Sequence, residues 1–133
     1  MSELSQIVLD YFKDKDYDIS TIATEIDKLK IDVVKKYLEN SPEDNVYVIK
    51  RSGNLELYSK DKITRSIKNA ADTNRQQLST SDIDIIMQDV SKSMENLNRK
   101  VFRTDEIKQF VKKALLEEGY SKIYDSYESY IQV

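Results

Sequence analysis

Residues 48–63 read "VIKRSGNLELYSKDKI". A basic pair, Lys50 and Arg51, runs into a short polar stretch containing Gly53. Val46 and Val48 alternate before this "RSGN" stretch, and Leu55 and Leu57 alternate after it. Period-two alternation around a glycine turn predicts a β-hairpin. Glycine supplies the positive φ that such a turn requires. Ser59 then stands where an N-cap belongs, ahead of a helix carrying Ile63, Ile67, Ala70 and Ala71 on one face. Lys62 falls in the first turn of that helix, where a cation opposes the helix dipole at a cost of about 0.3–1 kcal/mol. An anion held between the helix start and Lys62 would remove this cost, because the free N–H groups of a helix start bind anions. Charge alone favours the plainer reading, an exposed basic hairpin, since Lys and Arg are usually exposed. Lys50 and Arg51 are neighbours and point to opposite faces of a regular strand. Both reach one ligand only if the turn re-aims one of them.

Further along, Ile83, Ile86, Met87, Val90, Met94 and Leu97 form one stripe of a long helix. "RKVFR" (99–103) alternates and predicts a third strand. Thr104 is the expected cap of the next helix, with Asp105 and Glu106 well placed against its dipole. Ile107, Phe110, Val111, Ala114 and Leu115 give that helix its apolar face, and Gly119 stops it. The closing helix carries Tyr120, Ile123, Tyr124, Tyr127, Tyr130 and Ile131. Its helical spacing favours a core stripe over an aromatic platform for bases. Residues 45–133 therefore predict a mostly helical α+β domain: a small antiparallel sheet over a four-helix bundle.

Residues 1–44 differ in charge, with six Lys against eleven Asp and Glu, a net of −5. The seam "NSPEDN" (40–45) holds the only proline and reads as a turn or linker. Three short helices are expected ahead of it. Leu4, Ile7, Val8, Tyr11 and Phe12 mark the first. Ile19, Ile22, Ala23 and Ile26 mark the second, capped by Asp18 or Ser20. Val33, Val34, Tyr37 and Leu38 mark the third, capped by Asp32. The last two resemble a helix-turn-helix, with Ala23 at the close approach and Lys35 and Lys36 on the second helix. The missing turn glycine and the acidic charge disfavour DNA, because a duplex-binding surface needs several Lys or Arg contacts to phosphate.

The whole chain carries 21 Lys and Arg against 24 Asp and Glu, a net of −3, so no global basic field draws nucleic acid or anionic membrane. It has no Cys and no His. That removes thiol chemistry, disulfides, Ser-His triads and most zinc sites. There is no P-loop pattern, and the carboxylates form no distinctive pair, so an enzyme is not expected. No signal pattern or membrane-length apolar run is seen, and a cytoplasmic location is the expectation.

The order of these pieces resembles the ATP-cone domain. "VIKRSGNLELYSKDKI" is similar to that family's opening V-x-K-R-D-G, an apolar residue and K-I. "TRSIKNAAD", "STSDIDIIMQDVSKSM", "VFRTDEIKQFVKKAL" and "YSKIYDSYESY" follow in the family's order, over roughly residues 46–131. The resemblance implies an ATP- or dATP-binding regulatory domain, not an enzyme, with the nucleotide beneath the hairpin. It implies that Lys50, Arg51 and Lys62 hold phosphates, with Mg²⁺ as a companion ion. It implies that Val48 and Ile63 line the base pocket, that Glu56 lies near the base or ribose, and that Thr104 lies on the phosphate side. Ser52 replaces the usual Asp of K-R-D-G, and Ser59 stands where Asp or Asn is common. Ribonucleotide reductase, through its activity or its expression, is the implied target of regulation, with self-association as another implied contact. The alternatives are a nucleotide-responsive transcription regulator built on residues 1–44, or an adaptor that has lost nucleotide binding.

Overall fold

The computed structural model describes residues 1–42 and 44–130, with side chains described no further than Tyr127. The chain divides into two compact units, Met1–Pro42 and Glu43–Val133.

The first unit contains two helices, α1 (Glu3–Lys13) and α2 (Ile19–Glu39). Ser2 caps α1 by accepting the Ser5 N–H, and Asp18, not Ser20, caps α2 by accepting the Thr21 N–H at 2.8 Å. The three expected helices are thus two. Asp32 lies inside a continuous 21-residue helix and caps nothing. An aspartate costs a helix interior only a few tenths of a kcal/mol, about 0.7 at most. No Gly or Pro interrupts residues 19–39, and the flanking Leu29, Lys30 and Lys35 are compatible with helix. The helix-turn-helix reading fails for the same reason, since its turn is helical.

The second unit opens with β1 (Tyr47–Ile49) and β2 (Leu55–Leu57), antiparallel, with Val48 opposite Glu56. Gly53 sits at φ +87. Lys50 C=O accepts the Gly53 N–H at 2.8 Å, while Lys50 N–H donates to Asn54 C=O at 2.9 Å. This is a tight turn followed by a glycine bulge, a conformation open to glycine at little strain. The third strand, β3 (Val101–Arg103), joins the other edge of β1 in a β2-β1-β3 sheet. It runs parallel to β1, with Val48 opposite Phe102. The expected antiparallel sheet is therefore mixed. Two helices intervene between β2 and β3, and a connection of that length permits the parallel direction.

Those helices are α3 (Lys60–Thr73) and α4 (Thr80–Asn96), and α5 (Thr104–Glu117) and α6 (Ser121–Tyr130) follow. Each packs on two others, α3 on α4 and α6, α5 on α4 and α6, which closes a four-helix bundle. Ile67, Ile86, Val90, Val111, Leu115 and Ile123 fill its centre without exposure. Tyr127 joins them, so the tyrosine helix is core, while Tyr120 and Tyr124 are half-buried against it. The Tyr130 side chain and Ile131 lie outside the described residues. Leu97, expected on the α4 stripe, is the C-cap of that helix and is exposed. Ser79 and Asp82 form a reciprocal capping box at the start of α4. Gly119 follows the C-cap of α5 at φ +83, and the Tyr120 N–H returns to Leu115 C=O at 2.8 Å. Asn74, at the end of α3, donates to Lys122 C=O at 2.9 Å and contacts the Ser126 hydroxyl, which ties α3 to α6.

Candidate functional site beneath the hairpin

Directly paired residues share a side of a sheet, so Val48, Glu56 and Phe102 face the same way. Phe102 is 1% exposed and belongs to the bundle core, so this side faces inward. Val48 packs on the same core, half-buried. Lys50, two residues beyond Val48, keeps the inward side. Its Nζ lies 3.3 Å from Glu56 Oε2. Lys62 is the third residue of α3, and its Nζ lies 3.3 Å from that same oxygen. Ser59 caps α3 by accepting the Lys62 N–H at 3.4 Å. Ile63, next along, packs half-buried on the core.

One carboxylate oxygen thus holds two ammonium groups from two separate elements. The Lys62 and Lys50 hydrogen bonds lower the Glu56 pKa from the ordinary carboxylate value. The cluster is part-exposed, with side-chain exposures of 43% for Lys50, 37% for Glu56 and 65% for Lys62. Part-exposed pairs are weak and readily exchanged. Arg51 occupies the turn itself and is exposed.

Thr104 does not cap α5. Arg103 holds the N-cap position, and Thr104 is the first helical residue. The cap is supplied from within the helix, where Glu106 accepts the Arg103 N–H at 3.1 Å. Thr104 is left to donate its hydroxyl to Ile49 C=O at 3.4 Å, fastening the start of α5 to the end of β1. Ile49 precedes Lys50, so the start of α5 lies beside the lysine cluster. The structure therefore brings Val48, Lys50, Glu56, Lys62, Ile63 and Thr104 to one corner of the fold, with Arg51 on the adjoining turn.

Two features of this corner escape the sequence reading. Arg99 donates to Glu106 at 2.7 Å and to Val101 C=O at 3.1 Å, and its guanidinium lies 4.6 Å from the Phe102 ring centre. This locks β3 to α5. Tyr58 follows Glu56 by two residues, packs half-buried on the core, and buries its hydroxyl without a hydrogen-bond partner among the described residues. Burial raises its pKa. The alternation of Glu56 and Tyr58 with the β2 leucines was the available signal for it.

A scan of protein families matches the ATP cone domain over residues 46–133. The chain belongs to the ATP-cone family. That family is known for nucleotide-binding regulation, and its domains bind ATP or dATP. No curated protein matches the chain. In this cone the donor set suits an anionic ligand: two part-exposed ammonium groups, the Arg51 guanidinium on the adjoining turn and the starts of α3 and α5. No cluster of three or more metal-ligating side chains occurs among the described residues.

Proposed function

We propose that the cone binds ATP or dATP beneath its hairpin and acts as a regulatory switch. The convergence of Lys50 and Lys62 on one Glu56 oxygen carries this reading. A carboxylate held by two ammonium groups occupies a place for which a phosphate, with more charge and more acceptor oxygens, competes well. Phosphate binding then frees Glu56 to accept from the ribose or base. Val48 and Ile63 supply apolar wall for the base, and Arg51 and Thr104 flank the phosphates. Tyr58 offers a buried hydroxyl to a polar edge of the ligand. Mg²⁺, where present, enters on the phosphates and completes its shell with water. Because Lys50 and Glu56 sit on the hairpin and Lys62 on α3, the ligand links sheet to bundle. A switch follows if the two arrangements differ in nucleotide affinity.

Family membership supports ribonucleotide reductase, its activity or its expression, as the regulated system. Residues 1–44 serve as an accessory module outside the cone, and a cytoplasmic location suits this role.

Isothermal calorimetry with ATP and dATP tests the site. Lys50→Ala and Lys62→Ala are each expected to raise Kd by about 10–100-fold, the worth of one charge-assisted hydrogen bond. Tyr58→Phe should weaken binding only a few-fold. Unchanged affinity in both lysine variants sinks the assignment. A thermal midpoint that ignores millimolar ATP in the parent chain favours the adaptor that has lost its ligand, since a bound ligand stabilises the native state.

A further inference from the structure

Helix α2 of the first unit exposes a regular apolar seam. Ile19, Ile22, Ile26, Leu29 and Val33 recur at alternating spacings of three and four. This is the a/d spacing of a coiled coil. Ile19 is 81% exposed, Val33 57%, and Ile26 and Leu29 just over 40%, with Ile22 half-buried. Tyr37, on the same stripe, is 74% exposed. Leu38, the buried residue of α2, belongs to a different side of the helix, shared with Ile31 and Val34. The seam is thus a separate apolar stripe from Ile19 to Val33, about two heptads of the 21-residue helix.

We propose that this seam pairs with the same helix of a second copy of the chain, as a parallel two-stranded coiled coil. Three observations commit the seam to that occupant. First, every a position is β-branched (Ile19, Ile26, Val33) and the central d position is Leu29, the combination that suits two parallel strands, with Ile22 at the other d position as the one departure. Second, Glu25 falls at g and Lys30 at the following e. In a parallel pair these positions meet across the seam as opposite charges, twice over. An antiparallel pair would instead set Glu25 and Asp32 of one helix among the same acids of the other. Third, α2 itself is balanced: Lys28, Lys30, Lys35 and Lys36 against Glu25, Asp27, Asp32 and Glu39. The acidic excess of the first unit lies outside this helix, so charge does not oppose self-pairing. Among the described residues of one chain Glu25 pairs with the exposed Lys28, at 3.7 Å, and that contact yields readily to Lys30 of a second copy. Lys36 takes the last d position, which ends the apolar seam there.

The test uses the full chain and does not depend on nucleotide. Light-scattering mass across micromolar to millimolar concentration should show a monomer–dimer equilibrium. Ile26→Asp places a charge in the seam and should weaken the dimer by more than about a hundredfold. Helicity by circular dichroism should be kept in the cone. Lys30→Glu should weaken it a few-fold, and the double reversal Glu25→Lys with Lys30→Glu should restore it. The chain has no cysteine, so single cysteines report orientation. Under oxidation, Ile26→Cys should cross-link two chains rapidly, because a positions meet only in a parallel, in-register pair, while Lys28→Cys should not. A chain that stays monomeric throughout overturns the proposal, whether the seam then serves another partner or its own cone. So does equal cross-linking at both cysteines, or failure of the double reversal to rescue.

Discussion

The two units use similar residues and reach opposite outcomes. Both are built from amphipathic helices with well-formed N-caps. In Glu43–Val133 four apolar stripes find one another, and residues such as Ile86 and Val111 lose all exposure. In Met1–Pro42 α1 buries nothing and α2 buries only Leu38. Leu4, Ile7, Ile19 and Tyr37 stay more than half exposed. Amphipathic periodicity states that a helix has a face to bury. It does not state against what, and most helical stability in proteins comes from that burial. The candidate corner lies in the unit with the core: Lys50, Glu56 and Lys62 come from different parts of the chain and meet at 3.3 Å there.

The contrast breaks most visibly in paired truncations. Phe102→Ala removes a ring that is 1% exposed and should cost about 3–5 kcal/mol in denaturant unfolding of the cone. Leu29→Ala, 42% exposed, should change that transition by less than about 0.5 kcal/mol. Equal costs would mean that α2 has an intramolecular core after all.

Gly119→Ala tests a backbone dependence confined to the cone. A Cβ there meets nothing within 4 Å, so only the φ of +83 resists it. The expected loss in thermal unfolding is about 1–2 kcal/mol. A neutral result would show that the end of α5 relaxes freely.

The N-caps compare the units on equal terms. Ser79→Ala and Asp18→Ala each remove one capping acceptor, worth about 1 kcal/mol. The first should lower the cone's midpoint. The second should instead appear as lost helicity in α2, read by circular dichroism. Acid acts in the same direction on both. Hydrogen bonds to the Thr21 and Ser79 N–H groups lower the folded pKa of Asp18 and Asp82. A depressed folded carboxylate stabilises above its unfolded pKa and loses that contribution as pH falls through the folded value. Helicity should therefore drop below the ordinary carboxylate range, and Asp82→Asn should flatten the cone's share of that drop.

The smallest effect sharpens the site itself. Glu56→Gln removes the negative charge that occupies both lysines. Tripolyphosphate, which lacks base and ribose, should then bind about 1.5–5-fold more tightly by calorimetry, matching the worth of part-exposed ion pairs. Weaker binding would mean that Glu56 positions the lysines and does not compete for them.

Much of this was legible because it is local. Gly53 and the alternation around it announce the hairpin, Gly119 marks the end of α5, and the stripes from Ile67 to Tyr127 name the core. Lys62 in a helix's first turn was already an electrostatic oddity, and the order of motifs carried the family. Other features were not legible. Asp32 looked like a cap because caps and tolerated interior aspartates are the same residue type. Thr104 looked like one too, yet Glu106 reaches back to Arg103 and frees the Thr104 hydroxyl for Ile49. The direction of β3 depends on how α3 and α4 return the chain to the sheet.

By itself, then, the sequence determined the strands and helices of the cone and their inward faces, since these follow from period and turn chemistry within a few residues, and the resemblance to the ATP-cone family named the candidate residues. Only the tertiary structure decided that β3 runs parallel to β1 and that Lys50 and Lys62 meet on a single oxygen of Glu56. Both depend on contacts between residues far apart in the chain, where short-range propensity carries no information.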